Sequence, residues 1–146
     1  MYPSQFLVPL GPLEAASPVV LYGLFVLALA NMVTRFLAHR NHVAQVEGGA
    51  EDLDRYLPHL VSSLLLVAFS FAYMVIHPHG GMVASVLVLG TVVADFFEFE
   101  ARQVEARNGM TIERPKSALT GSVLVLLYAA YQSIFFVIKP VWNSIV

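Results

Sequence analysis

The chain has 146 residues, of which 58% are hydrophobic and only 12% are charged, about half the charged share of an ordinary soluble domain. This composition predicts an integral membrane protein with one domain covering residues 1–146. A formal net charge of −2 and the absence of cysteine argue against nucleic-acid binding and exclude disulfides, iron–sulfur clusters and thiolate chemistry.

Residues 1–16 form an apolar segment that is predicted to be irregular. Pro3, Pro9 and Pro12 interrupt any long helix there, because proline removes a backbone donor and clashes with the preceding turn. The first basic residue is Arg35, whereas a secretory signal carries its positive charges before its apolar core. We therefore expect the first span to be a retained anchor. The segment before it is expected at the membrane interface or against a partner, with a flexible tail as the alternative.

Four apolar stretches follow, each long enough to cross a hydrocarbon core of about 30 Å. They predict an all-α, antiparallel four-helix bundle with spans at about 18–38, 57–76, 82–99 and 118–138. The short link HPHGG at 77–81 makes the second and third spans antiparallel neighbours. No glycine or proline follows Gly90 in the third stretch, so its helix is expected to leave the bilayer and continue to about residue 107.

Residues that begin or end helices stand at the borders of these stretches. Ser17, which precedes a proline, Asp54 and Ser117 are the predicted N-caps of the first, second and fourth helices. The pair Lys139-Pro140 is predicted to end the fourth helix.

Basic residues are distributed unequally between the two sides of this bundle. Seven of the eight lysines and arginines lie in or next to the connectors 39–56 and 100–117, and the remaining one is Lys139. Cytoplasmic connectors carry the excess of lysine and arginine in membrane proteins. We therefore expect a plasma-membrane protein with both connectors in the cytoplasm and both termini outside.

A stripe of charged residues marks the point where the third helix leaves the bilayer. Asp95, Glu98, Arg102 and Glu105 are spaced by three, four and three residues, which places them on one side of a helix. Asp95 and Glu98, with Arg102, are a candidate proton or cation site, because carboxylates at membrane depth are costly. The alternative is structural: Glu98 pairs with Arg102, and Asp95 meets headgroup water, Arg35 or a partner subunit. Arg35 itself is expected to extend to the headgroups.

Five histidines are candidate ligands for haem or a metal. His39, His42 and His59 are expected at one level on the cytoplasmic side, and His77 and His79 on the outer side, where copper or zinc is the candidate ion. Histidine is also an ordinary residue at helix ends and membrane interfaces. We predict no cofactor, and haem or metal binding is the alternative.

Three enzyme signatures are missing from the sequence. It contains no Glu-x-x-His repeat of a di-iron bundle, no Gly-x-Ser-x-Gly elbow and no His-Glu-x-x-His zinc motif. The missing motifs favour a non-enzymatic protein.

The fourth stretch carries polar side chains at membrane depth. Tyr128 and Gln132 are separated by four residues, and Tyr131 lies beside them. Because buried polar groups need hydrogen-bond partners, this face is expected to pack against protein, with a quinone, carotenoid or pore-lining role as the alternative. Small residues at four-residue spacing, including Gly81, Gly90 and Gly121, predict close helix contacts.

The segments ADFFEFEARQVEARN (94–108), IERPKSAL (112–119) and LLYAAYQSIFF (126–136) resemble an uncharacterised family of small four-span membrane proteins of halophilic archaea. The resemblance extends over nearly the whole chain. It implies an archaeal plasma membrane in high salt and assigns no role to any residue.

Two classes of function agree with these features. The favoured hypothesis is an accessory or structural subunit of a larger membrane complex, in contact with lipid and with other membrane subunits or further copies of itself. The alternative is a small oligomeric proton or cation transport element that uses Asp95 and Glu98. A redox subunit that holds haem between His39 or His42 and His59 is a third possibility.

Overall fold

The computed structural model describes residues 15–145, and the predicted irregular segment at the N-terminus lies almost entirely outside this range. The described part of the chain contains four helices and no strand: α1 Ser17–Glu47, α2 Leu57–Ile76, α3 Pro78–Arg107 and α4 Lys116–Ile145. All four are long and apolar enough to cross a membrane. The predicted all-α, four-helix membrane fold is confirmed.

The helices form a closed ring in chain order. α1 packs against α2 and α4, and α3 packs against the same two helices. α1 and α3 therefore lie diagonally across the bundle and run in the same direction. We call the end that holds the C-terminal parts of α1 and α3 the charged end, and the end that holds His77 the opposite end.

Two helices extend well beyond the predicted spans at the charged end. α1 continues to Glu47 and α3 to Arg107, so residues 40–47, which were predicted to be a polar loop, are helical. No helix breaker occurs before Gly48 and Gly49, and Gly49 has a φ of 90°, a conformation that glycine adopts readily. The extensions enclose a small second core of Leu53, Phe99, Ala106 and Ile112.

Five predicted helix borders are wrong. α3 begins at Pro78, so the predicted link at 77–81 consists of His77 alone, and Gly80 and Gly81 are helical. Ser17 is already helical, the residue that caps α2 is Tyr56 instead of Asp54, and neither cap uses a side chain. α4 begins at Lys116, before Ser117, and it continues through Pro140 to Ile145. A proline this close to a helix end removes one hydrogen bond without ending the helix.

The main core lies between all four helices and depends on close approach at small residues. A methyl group at Gly81 would overlap the backbone of Met74, and one at Gly121 would overlap the side chain of Thr91, whereas one at Gly90 would contact nothing. Gly81 and Gly121 therefore permit helix contacts as predicted, and Gly90 does not. The buried apolar residues of this core are Val20, Leu21, Leu24, Ala28, Leu66, Tyr73, Ala84, Val88, Val125 and Ala129.

Candidate functional site: a buried polar cluster at the charged end

An ion pair between the diagonal helices forms the centre of the cluster. Arg35 of α1 donates from Nε to Asp95 Oδ1 at 3.1 Å and from Nη2 to Asp95 Oδ2 at 2.6 Å. The Arg35 side chain is only 1% exposed, so the expectation that it extends to the headgroups is wrong. A carboxylate at the same level inside the bundle gives the guanidinium a bidentate partner, which the interface would not provide.

Polar side chains of α2 complete the cluster. Asn31 accepts from Arg35 Nη2 at 2.9 Å and donates to the hydroxyls of Ser62 and Ser63, both at 3.0 Å. His59 Nε2 lies 3.1 Å from Asp95 Oδ2, and because a carboxylate only accepts, this nitrogen is the donor.

Thr34 closes the cluster on the other side of the His59 ring. Its hydroxyl lies 2.9 Å from Nδ1 of His59, so both ring nitrogens of this histidine have partners. Three helices are thus joined through one carboxylate and its neighbours.

A second layer lies further along α1 and α3. Arg102 donates from Nη1 to Nδ1 of His42 at 3.2 Å, and Nε2 of His42 donates to the backbone carbonyl of Asp54 at 3.0 Å. This geometry requires a neutral His42. In this part of α1, beyond the predicted span, burial and the Arg102 charge lower the pKa of His42 to about 4.

Glu98 does not share a site with Asp95. Its Oε1 accepts from the backbone amides of Ser117 and Ala118 at 2.8 and 3.2 Å, so it caps the start of α4 from the neighbouring helix. Its other oxygen is 4.0 Å from Arg102 Nη2, which is within ion-pair distance, as the i, i+4 spacing predicted, but is too long for a hydrogen bond. The helix N-terminus offers two free donors and a favourable dipole, which explains why it binds Glu98.

The histidines predicted as haem or metal ligands lie in different parts of the bundle, and two of them already make hydrogen bonds to protein atoms through both ring nitrogens. His42 and His59 use both ring nitrogens in protein contacts, while Nδ1 of His39 is buried without a hydrogen bond to residues 15–145. Within that range no three histidine or acidic side chains are grouped to hold a metal. His77 and His79 lie at the opposite end, beside a cavity of about 480 Å³.

The polar face predicted on α4 divides into two parts. Tyr73 of α2 donates to Gln132 at 2.7 Å, and Gln132 donates to the hydroxyl of Tyr128 at 3.1 Å, so these three pack inside the bundle. Tyr131 points outward, is 60% exposed and stacks on Phe135.

Some residues of the cluster were not predicted from the sequence. Asn31 stands one helical turn before Arg35, and Ser62 and Ser63 interrupt an apolar run at similar depth, so polar residues at one level were the available signal. Gln103 of α3 donates to and accepts from the backbone of Leu53 at 2.8 Å in each bond. No local pattern predicts this contact.

A cavity of about 310 Å³ lies beside the ion pair, between α1, α2 and α3. Its walls include Arg35, Arg55, Asp95, Phe96 and Arg102. Cationic, aromatic and apolar groups thus meet in one space at the charged end.

Comparison with known proteins gives one match. No curated protein and no solved structure matches the chain. The profile of the family described as a domain of unknown function, DUF7313, matches residues 2–146. The chain therefore belongs to the DUF7313 family.

Proposed function

We propose that the protein is a non-enzymatic accessory or structural subunit of a larger membrane complex, and that a partner helix packs on the outer face of α4. The observation that carries this proposal is the position of Tyr131. Its side chain is 60% exposed, and its hydroxyl takes no part in the hydrogen-bonded chain of its neighbours Tyr128 and Gln132.

The depth of Tyr131 makes an unpaired hydroxyl costly. About seven residues, or roughly 10 Å of helix, separate it from the predicted end of the span at 138. Helical side chains lean toward the N-terminus of their helix, which for α4 is the charged end. The hydroxyl is therefore directed toward the bilayer centre, where lipid provides no hydrogen-bond partner. A membrane helix with a polar group opposite Tyr131 would satisfy it.

The contacts of the two carboxylates support a structural role more than transport. Asp95 is held by Arg35 and His59, and Glu98 caps α4 through one oxygen while the other lies 4.0 Å from Arg102, so both carboxylates already have cationic or backbone partners within the bundle. The alternative of a proton or cation transport element predicts flux in vesicles for the parent protein and its loss when Asp95→Asn is combined with Glu98→Gln in a variant that circular dichroism shows to be folded. Unchanged flux, or none in the parent protein, removes that alternative.

The orientation belongs to this proposal. The excess of lysine and arginine at the charged end supports a plasma-membrane protein with that end in the cytoplasm. Reporter fusions in the connectors at residues 48–56 and 108–115 are expected to report the inside.

Site-specific photocrosslinking tests the docking proposal. Tyr131 is replaced by p-benzoylphenylalanine in the native membrane, with Val137 replaced in the same way as the control. Val137 is 57% exposed and lies about 120° away around the helix. We expect residue 131 to crosslink in high yield to one membrane polypeptide that also co-purifies under gentle solubilisation, and residue 137 to give little product.

Three outcomes contradict the proposal. One is crosslinking only to lipid, a second is crosslinking only to residues 1–14 of the same chain, and the third is purification as a lone 16 kDa species. A crosslinked second copy would identify the partner as the protein itself.

A further inference from the structure

The cavity beside the ion pair carries an excess of positive charge. Three guanidinium groups line it, from Arg35, Arg55 and Arg102, against one carboxylate, that of Asp95. Glu98 is the nearest further carboxylate, at 4.0 Å from Arg102. Guanidinium groups therefore outnumber carboxylates on the cavity wall itself, whereas Glu98 and Glu105, which do not line it, interact with Arg102 from outside.

Two of these guanidinium groups have unused donors in a buried position. Arg35 is 1% exposed and Arg102 is 6% exposed. Nη1 of Arg35 and Nε of Arg102 nevertheless make no hydrogen bond with any described residue. Buried polar groups without partners are rare in native proteins. Both side chains line the cavity, where a ligand that accepts hydrogen bonds would engage their guanidinium groups.

The third arginine on the cavity wall, Arg55, packs on two aromatic rings. Arg55 belongs to the connector between α1 and α2, and its guanidinium lies 4.3 Å from the ring centre of Phe99 and 5.7 Å from that of Phe96. It makes no salt bridge with residues 15–145. Its charge is therefore available to an anion.

The rest of the lining favours an amphiphile. Leu60 of α2 and Phe96 of α3 both line the cavity and are 39% and 49% exposed on the outer surface of the bundle. The cavity therefore meets the lipid-facing surface between these two helices. We propose that it binds a phosphate group, which several guanidinium groups recognise well, carried by an anionic phospholipid whose chains lie against Leu60 and Phe96. Inorganic phosphate offers the same chemistry without the chains.

Ligand-dependent thermal unfolding of the full chain in a neutral detergent tests this proposal. The probes are phosphatidylglycerol, phosphatidylcholine, and sodium phosphate compared with sodium chloride at equal ionic strength. The midpoint of unfolding is expected to rise with phosphatidylglycerol and not with phosphatidylcholine. Arg55→Gln is expected to weaken the apparent affinity at least tenfold.

Two further variants separate binding from folding and from general charge. Arg107→Gln removes an exposed arginine of the same end that pairs with Asp52 at 3.0 Å and does not line the cavity, so it should leave the affinity unchanged. Arg35→Lys retains a cation for Asp95 and removes the unused guanidinium donor, and it should weaken binding. Should this variant fail to fold, the comparison of Arg55→Gln with Arg107→Gln still decides.

The outcomes distinguish the two sources of phosphate. A rise with phosphatidylglycerol alone identifies the lipid headgroup, and an equal rise with sodium phosphate identifies a soluble anion. The proposal is overturned if neither probe raises the midpoint, or if Arg107→Gln reduces the response as much as Arg55→Gln. The crosslinking result at Tyr131 is independent of all of these.

Discussion

Removal of the Asp95 charge is expected to destabilise the bundle strongly. In Asp95→Asn the side chain keeps one acceptor oxygen, whereas the carboxylate accepts from Arg35 Nε, Arg35 Nη2 and His59 Nε2 at 2.6–3.1 Å. The Arg35 guanidinium, only 1% exposed, then retains its charge without a counter-charge. Breaking one partner of a buried ion pair typically costs about 3–5 kcal/mol.

A double-mutant cycle isolates the pair from other effects of the substitution. Arg35→Met removes the cation, and the double variant Arg35→Met with Asp95→Asn contains neither charge. Because replacement of a whole buried pair by neutral groups is often close to neutral, the double variant should be more stable than Asp95→Asn alone. The two changes should therefore be strongly non-additive, as expected for residues in direct contact.

The free energies of unfolding can be measured in mixed dodecyl maltoside and sodium dodecyl sulfate micelles by circular dichroism. The control is the exposed pair of Arg107 and Asp52, whose side chains are 59% and 78% exposed and whose disruption should cost roughly 0–1 kcal/mol. Additive effects at Arg35 and Asp95, each below about 1 kcal/mol, would refute a buried ion pair between α1 and α3.

Three further predictions concern other parts of the fold. Gly81→Ala should destabilise the protein because a methyl group there overlaps the backbone of Met74. Gly90→Ala, with open space around it, should be neutral or stabilising by up to about 1 kcal/mol. The unfolding assay described above measures both changes. The pKa of His42 is lowered to about 4. Its contribution to the free energy of unfolding is therefore complete above about pH 6.5 and should be lost as the pH falls toward 4. A pH series of unfolding midpoints checks this, and His42→Gln should flatten it. Glu98→Ala should cost about 1 kcal/mol, as for other lost N-caps, and should raise hydrogen exchange in the first turn of α4, while Glu98→Gln keeps an acceptor and should lose less.

The number and type of helices could be predicted from the sequence because they depend on local properties. An apolar run of about 20 residues meets the length requirement of the bilayer by itself. The reversal between α2 and α3 was also predicted, although His77 alone makes it and the rest of the predicted HPHGG link is helical. The ends of the helices were predicted less well. Ser17 and Asp54 are residue types that cap helices, but the described caps use other residues, and Pro140 costs one hydrogen bond without ending α4.

The candidate site was only partly predictable, because partners on other helices decide its contacts. The spacing of Glu98 and Arg102 on one helix predicted their ion pair, which is present at 4.0 Å, but not the hydrogen bonds that Glu98 accepts from the free amides at the start of α4. Likewise, the sequence indicates that Tyr131 is a polar residue at depth. Its outward direction, about 100° around the helix from that of Gln132, follows only from how α4 is rotated against α2.

The level of the ion pair explains how the charges are distributed at this end of the bundle. Arg35 lies about 18 residues into α1 and Asp95 about 17 residues into α3, which corresponds to roughly 27 and 26 Å of helix. Because α1 and α3 run in the same direction, the two charges meet at one height, just inside a hydrocarbon core of about 30 Å. Arg102 lies about 10 Å further along α3, beyond that boundary. The charges of Arg35 and Asp95 therefore neutralise each other at the depth where an unpaired charge is most costly, and Arg102, whose ion-pair partner Glu98 is 4.0 Å away, lies further along α3 where charge is tolerated.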